Sequence, residues 1–517
     1  MTRAFYVTTP IYYVNGSPHV GHAYTTLACD VLARFMRLDG CDVKFLSGTD
    51  EHGQKVERTA EAAGMTPQAF ADKVEKEFRE MAKAMKATCD DFIRTSEPRH
   101  KKGVTKFWER LVENDDLYLG SYSGWYSVTD ETFFAEKELI NGKAPTGANV
   151  EWVEEPSYFF RLSKYQDRLL KFYNDHPDFI APASRRNEVI SFVKQGLIDL
   201  SVSRTTFTWG VPVPGDPDHV VYVWLDALTN YITALGYPDT EASDFATFWP
   251  EAHHIVGKDI LRFHAIFWPA FLMAADLPLP KRVYAHGWWT NEGQKCSKSL
   301  GNVLDPFELI KTYGVDQLRY FMMREIPFGQ DGDFSCDSME RRINSDLAND
   351  YGNLIQRVLS FVAKHAGGVV PKKGTLTRDD EAMLKEVQSL YDDLKPLLAE
   401  EQAFHKYLER LWRAIGVANR YVDTQAPWAL RKTDTDRMET VLYVLSEAIR
   451  YITILAQPFL PDATEKILDQ LAVPKNKRTF ANLSAESALV SGTALPNPEP
   501  IFPRYVPGGS HEKTLAR

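Results

Sequence analysis

A histidine-glycine tetrad near the N-terminus has the residue types and the spacing of a phosphate-binding site. His19 and His22 lie three residues apart, on one face of a helix that the pattern predicts from about this point. The first turn of a helix presents unpaired backbone N–H groups and the positive end of the helix dipole, which favour anions. We expect Ser17 to cap this helix, Pro18 to occupy its first position and Gly21 to leave room for a ligand.

A lysine-rich segment in the second half of the chain could bind the same kind of ligand. Lys295, Ser297, Lys298 and Ser299 form the pattern K-x-S-K-S in a stretch that also contains Gly and Asn. Lysine ammonium groups are mobile point charges, which suit a phosphate chain that changes shape during a reaction. Either segment alone has ordinary explanations, because paired histidines can bind a metal or form a polar surface and lysine-rich loops are commonly only solvated.

The surrounding sequence predicts a parallel sheet that could bring both segments together. A strand over Phe5–Thr9, a helix over His19–Asp39 and a strand over Val43–Leu46 make a β-α-β unit. Similar strand-then-helix patterns recur at Val220–Trp224 and His254–Val256. Such alternation predicts an α/β fold with a doubly wound, parallel-sheet domain of the Rossmann type.

Two other regions break this alternation. Residues 115–218 are rich in aromatic and turn residues, which indicates an inserted domain. After about residue 340 the pattern changes to long amphipathic segments, such as Val441–Ile454, which predict a C-terminal α-helical bundle. The last residues, rich in Pro and Gly, are expected to form a loosely held tail.

Composition restricts the protein class. The chain has 517 residues, 44% hydrophobic content, a formal net charge of −10 and five cysteines without a CxxC pair. This composition excludes a disordered chain and a disulfide-stapled domain, and the longest apolar stretch is too short to span a membrane. No secretory signal is evident, so we expect a cytoplasmic protein with no membrane association. The net charge does not exclude a local surface that binds nucleic acid.

The two segments together, separated by an insertion, resemble the class I aminoacyl-tRNA synthetases. The motifs between the two segments resemble those of the methionyl-tRNA synthetase family, and this resemblance extends over nearly the whole chain. The resemblance implies a two-step reaction: ATP and L-methionine give methionyl-adenylate and pyrophosphate, and methionine then passes to the 3' end of tRNA(Met), for translation initiation and elongation. It assigns catalysis to His19, His22, Lys295 and Lys298, and ATP would carry its own Mg²⁺.

The same resemblance assigns the substrate-binding residues. ATP is assigned to His19, Gly21, His22, Gly257, Asp259 and Lys298. Methionine is assigned to Ile11, Tyr13, Asp50, Trp224, Ala227, Tyr231, Ile260 and His264, with Trp268 behind them. Asp50 would bind the ammonium group, and an aromatic pocket suits the apolar, polarizable thioether. Placement after strand ends supports this assignment, although buried aromatic residues usually belong to the core.

The resemblance also implies an anticodon-binding surface on the bundle. It assigns Asn353, Arg357 and Trp428 to anticodon reading. Amide and guanidinium groups can bind base edges and an indole can stack on a base, as single-stranded RNA recognition requires. A helix face of this kind is otherwise most often a solvated surface.

The predicted domain boundaries follow from these assignments. They are residues 1–114 and 219–288 for the two halves of the catalytic domain, 115–218 for the inserted connective-peptide domain, 289–340 for a stem-contact region with the lysine loop, 341–502 for the helical anticodon-binding domain and 503–517 for the tail.

Three features depart from many relatives. Ser127 and Asp130 stand where a first CxxC pair would be, so no structural zinc is expected. The chain ends after the bundle without an appended dimerisation module, so we expect a monomer. Cys296 replaces the usual methionine of the lysine loop.

Other functions remain open at this level. One alternative is a class I synthetase for another apolar or thiol amino acid, although the chain has no room for the large editing insertion that leucine, isoleucine or valine enzymes carry. A second is a small-molecule nucleotidyltransferase, which leaves the helical third without a role. A third is an RNA-binding scaffold, which the intact His19, His22, Lys295 and Lys298 disfavour.

Overall fold

The fold is organised around a parallel sheet whose strands come from separate stretches of the chain. The computed structural model describes residues 3–130, 132–134, 136–291, 294–295 and 304–506. The strands are β1 Ala4–Thr8, β2 Tyr12–Tyr13, β3 Asp42–Asp50, β4 Asp91–Arg94, β5 Leu117–Ser127, β6 Thr132–Phe134, β7 Glu151–Phe160, β8 Ile180–Ala181, β9 Leu200–Ser201, β10 Ser203–Arg204, β11 Pro212–Val213, β12 Asp216–Val221, β13 Ala252–Gly257, β14 Arg282–His286, β15 Trp289–Asn291, β16 Gln294–Lys295 and β17 Gly332–Phe334.

Helices connect these strands and form the C-terminal third. They are α1 Val20–Leu38, α2 Gln54–Ala62, α3 Pro67–Ala84, α4 Pro98–Glu113, α5 Gln166–Asp175, α6 Ala183–Lys194, α7 Val223–Thr233, α8 Ser243–Phe248, α9 Trp268–Ala274, α10 Pro306–Tyr313, α11 Val315–Arg324, α12 Cys336–Arg342, α13 Asn353–His365, α14 Arg378–Gln388, α15 Leu390–Ala399, α16 Phe404–Gln425, α17 Pro427–Thr433, α18 Thr435–Ala456 and α19 Pro461–Gln470. No helix in the described ranges is long and apolar enough to cross a membrane.

The main sheet has the order β2-β3-β1-β13-β14-β8, with β4 also paired to β3, and every pairing in it is parallel. This confirms the predicted parallel-sheet fold. Because all the strands run in one direction, their carboxyl ends meet at a single edge, where ligands bind in such sheets. The register places Tyr13 beside Asp50 and Gly257 beside His286 along this edge.

Helix α1 lies between the sheet and the C-terminal bundle. Its predicted apolar positions, Leu27, Val31, Leu32 and Phe35, are all fully buried. The helix ends before Gly40, whose positive φ of 79° suits a residue without a Cβ.

The start of α1 differs from the expected one. The helix begins at Val20 and the His19 side chain caps it, so Ser17 is not the cap and Pro18 is not the first helical residue. An imidazole nitrogen can accept the backbone N–H that a serine hydroxyl would otherwise accept, which the usual preferences for capping residues do not predict.

The segment Val220–Trp224 also differs from its predicted role. Strand β12 pairs antiparallel with β10 and β11, outside the parallel sheet, although helix α7 follows it as expected. A short run of β-branched residues predicts a strand but not its partners. Strand β8 differs in the other direction: it belongs to the parallel sheet although it lies in the range predicted for the insertion. The main element of that insertion is the antiparallel pair β5–β7.

The bundle helices pack on α1 as one continuous apolar core with the sheet. Phe35 of α1 contacts Tyr407 and Phe480 at ring-centroid distances of 6.0 and 5.0 Å. Helices α12 and α13 are joined by a π-helical stretch, Ile343–Gly352. The wider π-helical turn changes the angle between successive side chains along this stretch.

A buried arginine joins the sheet domain to the bundle. Arg319 of α11 is fully buried and pairs with Asp30 of α1 at 2.7 Å. Its guanidinium also donates to the carbonyl oxygens of Met85 and Pro458 at 2.7 Å and of Phe459 at 3.1 Å. One side chain therefore connects α1, the end of α3, α11 and the loop before α19.

We expect Arg319→Met to lower the free energy of unfolding by about 3–5 kcal/mol, because it leaves part of a buried carboxylate and three buried carbonyl groups without a donor. Arg34→Met is the matched control, since Arg34 also pairs with Asp30, at 2.8 Å, but is 23% exposed. It should cost about 1 kcal/mol or less. Urea denaturation followed by circular dichroism measures both, and equal losses would contradict the role given to Arg319.

Candidate functional site

A cleft of about 730 Å³ lies at the carboxyl edge of the parallel sheet. The described residues predicted to bind methionine or ATP all line it: Ile11, Tyr13, His19, Gly21, His22, Asp50, Trp224, Ala227, Tyr231, Gly257, Asp259, Ile260 and His264. The buried ring of Trp268 lies behind Tyr231, at a centroid distance of 6.3 Å. Residues from distant parts of the chain thus share one concave surface.

The two histidines of the tetrad form a stacked, mutually hydrogen-bonded pair. Their ring centroids are 3.8 Å apart. His19 Nδ1 accepts from the Gly21 N–H, and His22 Nδ1 accepts from the His19 N–H, both at 3.1 Å. An accepting Nδ1 carries no proton, so in the neutral tautomer each ring has its proton on Nε2. Both imidazoles therefore offer an Nε2–H donor at the start of α1, where the helix dipole favours an anion.

Gly21 is required by the packing of this pair. A Cβ at this position would lie 2.9 Å from His19 Cε1. The glycine thus makes room for the His19 ring, rather than only for a ligand as the sequence suggested.

Asp50 faces the cleft while the neighbouring acid is paired elsewhere. Glu51 is fully buried, and its carboxylate accepts from Arg94 at 2.7 and 3.0 Å. Asp50 ends β3 beside Tyr13 and lines the cleft. Of the two adjacent carboxylates, Asp50 is therefore the one placed to bind a cation in the cleft.

A buried aspartate, Asp226 of α7, binds one histidine that follows Asp50 and another from α4. Asp226 Oδ2 lies 2.6 Å from His52 Nδ1, and Asp226 Oδ1 lies 2.8 Å from His100 Nε2. Burial alone would raise the pKa of Asp226, but the two imidazoles outweigh burial and hold it well below its usual value. The bridge connects the end of β3 with the start of α7, where Trp224 and Ala227 lie.

The pocket beside Asp50 is apolar in character although several of its side chains carry polar groups. His264 Nδ1 donates to the Ile260 carbonyl at 2.9 Å, and its Nε2 lies 2.7 Å from the Tyr231 hydroxyl. Burial lowers the pKa of His264 to about 4, so the ring is neutral at pH 7 and Nε2 accepts from the hydroxyl. Because these polar groups bind one another, the pocket presents mainly ring surfaces, including the Trp224–Phe263 stack with 3.6 Å between centroids.

One end of the cleft is formed by Gly257, the last residue of β13, by Asp259 and by Trp288, which follows β14. The Asp259 carboxylate lies close above Gly257, where a Cβ would be 2.5 Å from Oδ1. The Trp288 indole donates to the same oxygen at 3.0 Å. This end offers a carboxylate acceptor and an aromatic ring, which suit a nucleoside.

The structure places only part of the lysine loop. Lys295 belongs to β16, which pairs with β15 so that Lys295 lies opposite Thr290. Lys298, with Cys296, Ser297 and Ser299, lies outside the described residues.

Several lining residues were not predicted. They are Pro10, Tyr12, Val20, Tyr24, Thr25, Asp130, Thr146, Leu228, Asn230, Phe263, His286, Gly287, Trp288 and Trp289. His286 is the last residue of β14 and Gly287 follows it, so a rule based on strand ends could have found them. No local signal marks Asp130 and Thr146, because they reach the cleft from the insertion.

A hydrogen-bonded turn occupies the place of the first CxxC pair. Ser127 Oγ and Thr146 Oγ1 both donate to Asp130 Oδ2 at 2.7 Å. Within the described part of the chain, no group of three or more His, Cys, Asp or Glu side chains could hold a metal ion. The donor set at this turn does not fit zinc, which prefers thiolate and imidazole ligands.

The three predicted anticodon-reading residues lie near one end of the bundle. Arg357 lies one turn after the exposed Asn353 on α13. The Arg357 guanidinium is 5.6 Å from the ring centroid of Trp428, and Trp428 is 45% exposed. The same guanidinium is 2.7 Å from a carboxylate oxygen of Asp423. A guanidinium beside an exposed indole is an arrangement suited to stacked bases.

Comparison with known proteins gives a consistent result. Residues 5–150 and 136–359 match the family described as tRNA synthetases class I (M), and residues 370–508 match the anticodon binding domain of methionyl tRNA ligase. The methionine–tRNA ligase of Mesorhizobium japonicum is 57% identical over 507 residues, which cover 97% of this chain and 98% of the relative. That of Rickettsia felis is 56% identical, covering 98% of this chain and 99% of the relative.

Solved structures agree with these matches. Methionyl-tRNA synthetase of Mycobacterium tuberculosis in complex with methionyl-adenylate has a TM-score of 0.95 and 50% identity, covering 97% of this chain and 100% of that chain. The free state of the Mycobacterium tuberculosis enzyme has a TM-score of 0.89 and 47% identity, covering 98% of this chain and 99% of that chain.

Buried imidazoles in the parallel sheet should make stability depend on pH. Burial lowers the pKa of His253 to about 4, against about 6.5 for an exposed histidine. As pH falls below 6.5, the unfolded chain binds a proton at this position and the folded protein does not. The resulting loss of stability begins near pH 6.5 and is complete near the folded-state pKa.

We expect His253→Gln to reduce the loss in free energy of unfolding between pH 7 and pH 5 by about 2 kcal/mol, since glutamine does not titrate. His176→Gln, which removes an exposed imidazole after α5, is the control for the loss of a histidine. Urea denaturation at both pH values gives the comparison. An unchanged pH dependence in His253→Gln would show that this imidazole does not carry the effect.

Proposed function

The chain belongs to the class I methionyl-tRNA synthetase family, and we propose that it activates L-methionine with ATP and transfers it to the 3' end of tRNA(Met). The observation that carries the proposal is a single cleft that combines the His19–His22 pair, the Asp50 carboxylate and an aromatic pocket. We further propose that the protein acts as a monomer in the cytoplasm.

Bound methionine would contact two kinds of surface in the cleft, one charged and one apolar. The ammonium group pairs with Asp50, because the carboxylate of Glu51 is already bound by Arg94. The thioether side chain enters the pocket formed by Tyr13, Trp224 and the residues around them. A pocket in which the Tyr231 hydroxyl and the His264 imidazole are hydrogen-bonded to each other favours a polarizable, apolar side chain over one that needs hydrogen bonds.

The remaining methionine-pocket assignments follow from the lining of the cleft. They are Ile11, Ala227, Tyr231, Ile260 and His264. ATP binding is assigned to His19, Gly21, His22, Gly257, Asp259 and Lys298.

The activation step needs no covalent bond to the protein. A methionine carboxylate oxygen attacks the α-phosphorus of ATP, and the bond from that phosphorus to the bridging oxygen breaks, so its electron pair leaves with pyrophosphate. The Nε2–H groups of His19 and His22 donate to phosphate oxygens at the helix start. Lys295 and Lys298 act on the β- and γ-phosphates as negative charge develops on pyrophosphate.

Magnesium would accompany the nucleotide. Within the described ranges no group of three or more His, Cys, Asp or Glu side chains could hold a metal ion, and phosphate oxygens of the nucleotide would supply ligands for magnesium. When bound, it neutralises phosphate charge.

Transfer uses the terminal ribose hydroxyl of the tRNA as the nucleophile. It attacks the carbonyl carbon of the adenylate, and AMP leaves with the electrons of the broken C–O bond, while the hydroxyl proton passes to a phosphate oxygen of the departing AMP. Asn353 and Arg357 would bind base edges of the anticodon, and Trp428 would stack on a base. Reading and chemistry thus take place in different parts of the chain.

We expect Lys298→Ala and His22→Ala to reduce methionine-dependent exchange of pyrophosphate into ATP by about 10²–10³-fold, because each removes a donor to charge that develops in the transition state. Methionine affinity, measured by calorimetry, should remain nearly unchanged. Lys311→Ala, at an exposed position on α10, is the control. Assays with each amino acid in turn test the competing specificities: exchange with leucine but not with methionine would refute the proposal, and normal turnover of Lys298→Ala would refute the role of the loop.

We expect Trp428→Ala to lower the kcat/KM for tRNA(Met) aminoacylation by about tenfold or more while pyrophosphate exchange stays unchanged, since a stacked base is worth about 1–3 kcal/mol. Trp152→Ala, which removes another exposed tryptophan, in the insertion, is the comparison variant. Equal losses in exchange and aminoacylation by Trp428→Ala would contradict its assignment to the anticodon.

A further inference from the structure

Asp331 lies just outside the nucleotide end of the cleft and binds two segments that form it. Its carboxylate oxygens accept from Lys258 Nζ at 2.7 and 2.6 Å. One of these oxygens also accepts from the backbone N–H of Trp288 at 2.8 Å. Lys258 follows β13 and Trp288 follows β14, so a single carboxylate joins the ends of two neighbouring strands.

The backbone around Asp331 packs directly against Gly287, which lines the cleft. A Cβ on Gly287 would lie 2.2 Å from the Gln330 carbonyl oxygen and 2.6 Å from the Asp331 nitrogen. The following residue, Gly332, donates its N–H to the Trp288 carbonyl at 2.8 Å. Asp331 is therefore held in place by its own backbone and can position the side chains that it binds.

The contacts link Asp331, Lys258, Trp288 and Asp259 in one connected group. The Lys258 ammonium lies 4.2 Å from the centroid of the Trp288 ring, and the Trp288 indole donates to Asp259 at 3.0 Å. Lys258 and Asp259 are adjacent in sequence and oppositely charged. Because Asp331 binds the ammonium, Lys258 is kept from the Asp259 carboxylate, which stays available to a donor on the nucleotide.

An ordinary surface ion pair between Lys258 and Asp331 would be a simpler explanation of these contacts, and such pairs contribute little to stability. Two features distinguish this one. The Lys258 side chain is only 17% exposed, and it contacts both carboxylate oxygens. The carboxylate also accepts a backbone N–H from a residue of the cleft wall, so it fixes main chain as well as a side chain.

We propose that Asp331 is a positioning residue for the nucleotide, which holds Lys258 and Trp288 so that Asp259 and the indole face the adenosine of ATP. Asp331 acts through these residues and does not itself line the cleft. The inference rests on the proposed function, since it takes ATP as the ligand of this end of the cleft.

The test compares two substitutions at this position. Asp331→Asn keeps an acceptor for the Trp288 N–H but loses the charge that binds Lys258, and Asp331→Ala loses both. We expect the KM for ATP in pyrophosphate exchange to rise about three- to tenfold in Asp331→Asn and further in Asp331→Ala. The KM for methionine should stay within about twofold, because neither Lys258 nor Trp288, which Asp331 binds, is among the residues assigned to methionine.

Asp337→Asn is the matched control. It removes another exposed carboxylate, in the first turn of α12, and should leave both KM values and the turnover number at those of the wild-type protein. Thermal unfolding of each variant checks that the fold is retained. Hydrogen exchange of a peptide covering residues 287–291 should be faster in Asp331→Ala than in Asp337→Asn, since the former loses an anchor of that backbone.

The possible outcomes separate the inference from the function on which it rests. If the wild-type protein exchanges pyrophosphate with methionine and Asp331→Ala has an unchanged KM for ATP, the inference is wrong and the proposed function stands. Equal rises in both KM values, or a lower turnover number with both KM values unchanged, would also overturn it, because they indicate general structural damage. Absence of exchange in the wild-type protein would overturn the proposed function and the inference together.

Discussion

The buried contact between Arg319 and Asp30 sets where the bundle lies relative to the sheet. Asp30 belongs to α1, whose first turn carries the stacked histidines, while Arg319 also binds carbonyl groups just before α19. A second carboxylate strengthens this joint: Asp316 accepts from the Ala463 N–H at the start of α19 at 2.7 Å. Burial raises the pKa of Asp316 to about 6. Since a buried guanidinium must keep all its partners, the helices it joins cannot move independently at low cost. The contact therefore joins α1, which carries the two histidines, to α11 and to the segment before α19.

Parallel strands explain why the cleft can collect residues from such distant positions. Each strand delivers its following residues to the same edge, so Tyr13, Asp50, Gly257 and His286 become neighbours although they span most of the sheet domain in sequence. Helix α1 adds a second contribution, because it begins at that edge and places the stacked rings of His19 and His22 there. The chemistry of the site thus follows from strand direction and from one helix start.

The sequence predicted the parts of the structure that depend on local patterns. The buried face of α1 follows from its apolar spacing, and the parallel-sheet fold and the family are confirmed. The partners of β12 could not be predicted, because pairing depends on contacts between residues far apart in sequence. The same is true of Asp331 and Trp288, whose roles arise only where two strand ends approach each other. The lysine loop beyond Lys295 lies outside the described residues, so its part of the site remains a sequence prediction.

The proposed ligands of the cleft, an ammonium group and a polyphosphate, require that the charges of the protein around it do not pair with one another. Surrounding charges are bound away from the cleft in each case: Glu51 by Arg94, and Lys258 by Asp331. Asp226 is likewise held between His52 and His100, deep in the wall. Any of these groups left without a partner would be a competing ligand for Asp50, Asp259 or the substrates themselves. Selective binding here therefore depends as much on which charges are bound outside the cleft as on which ones face it.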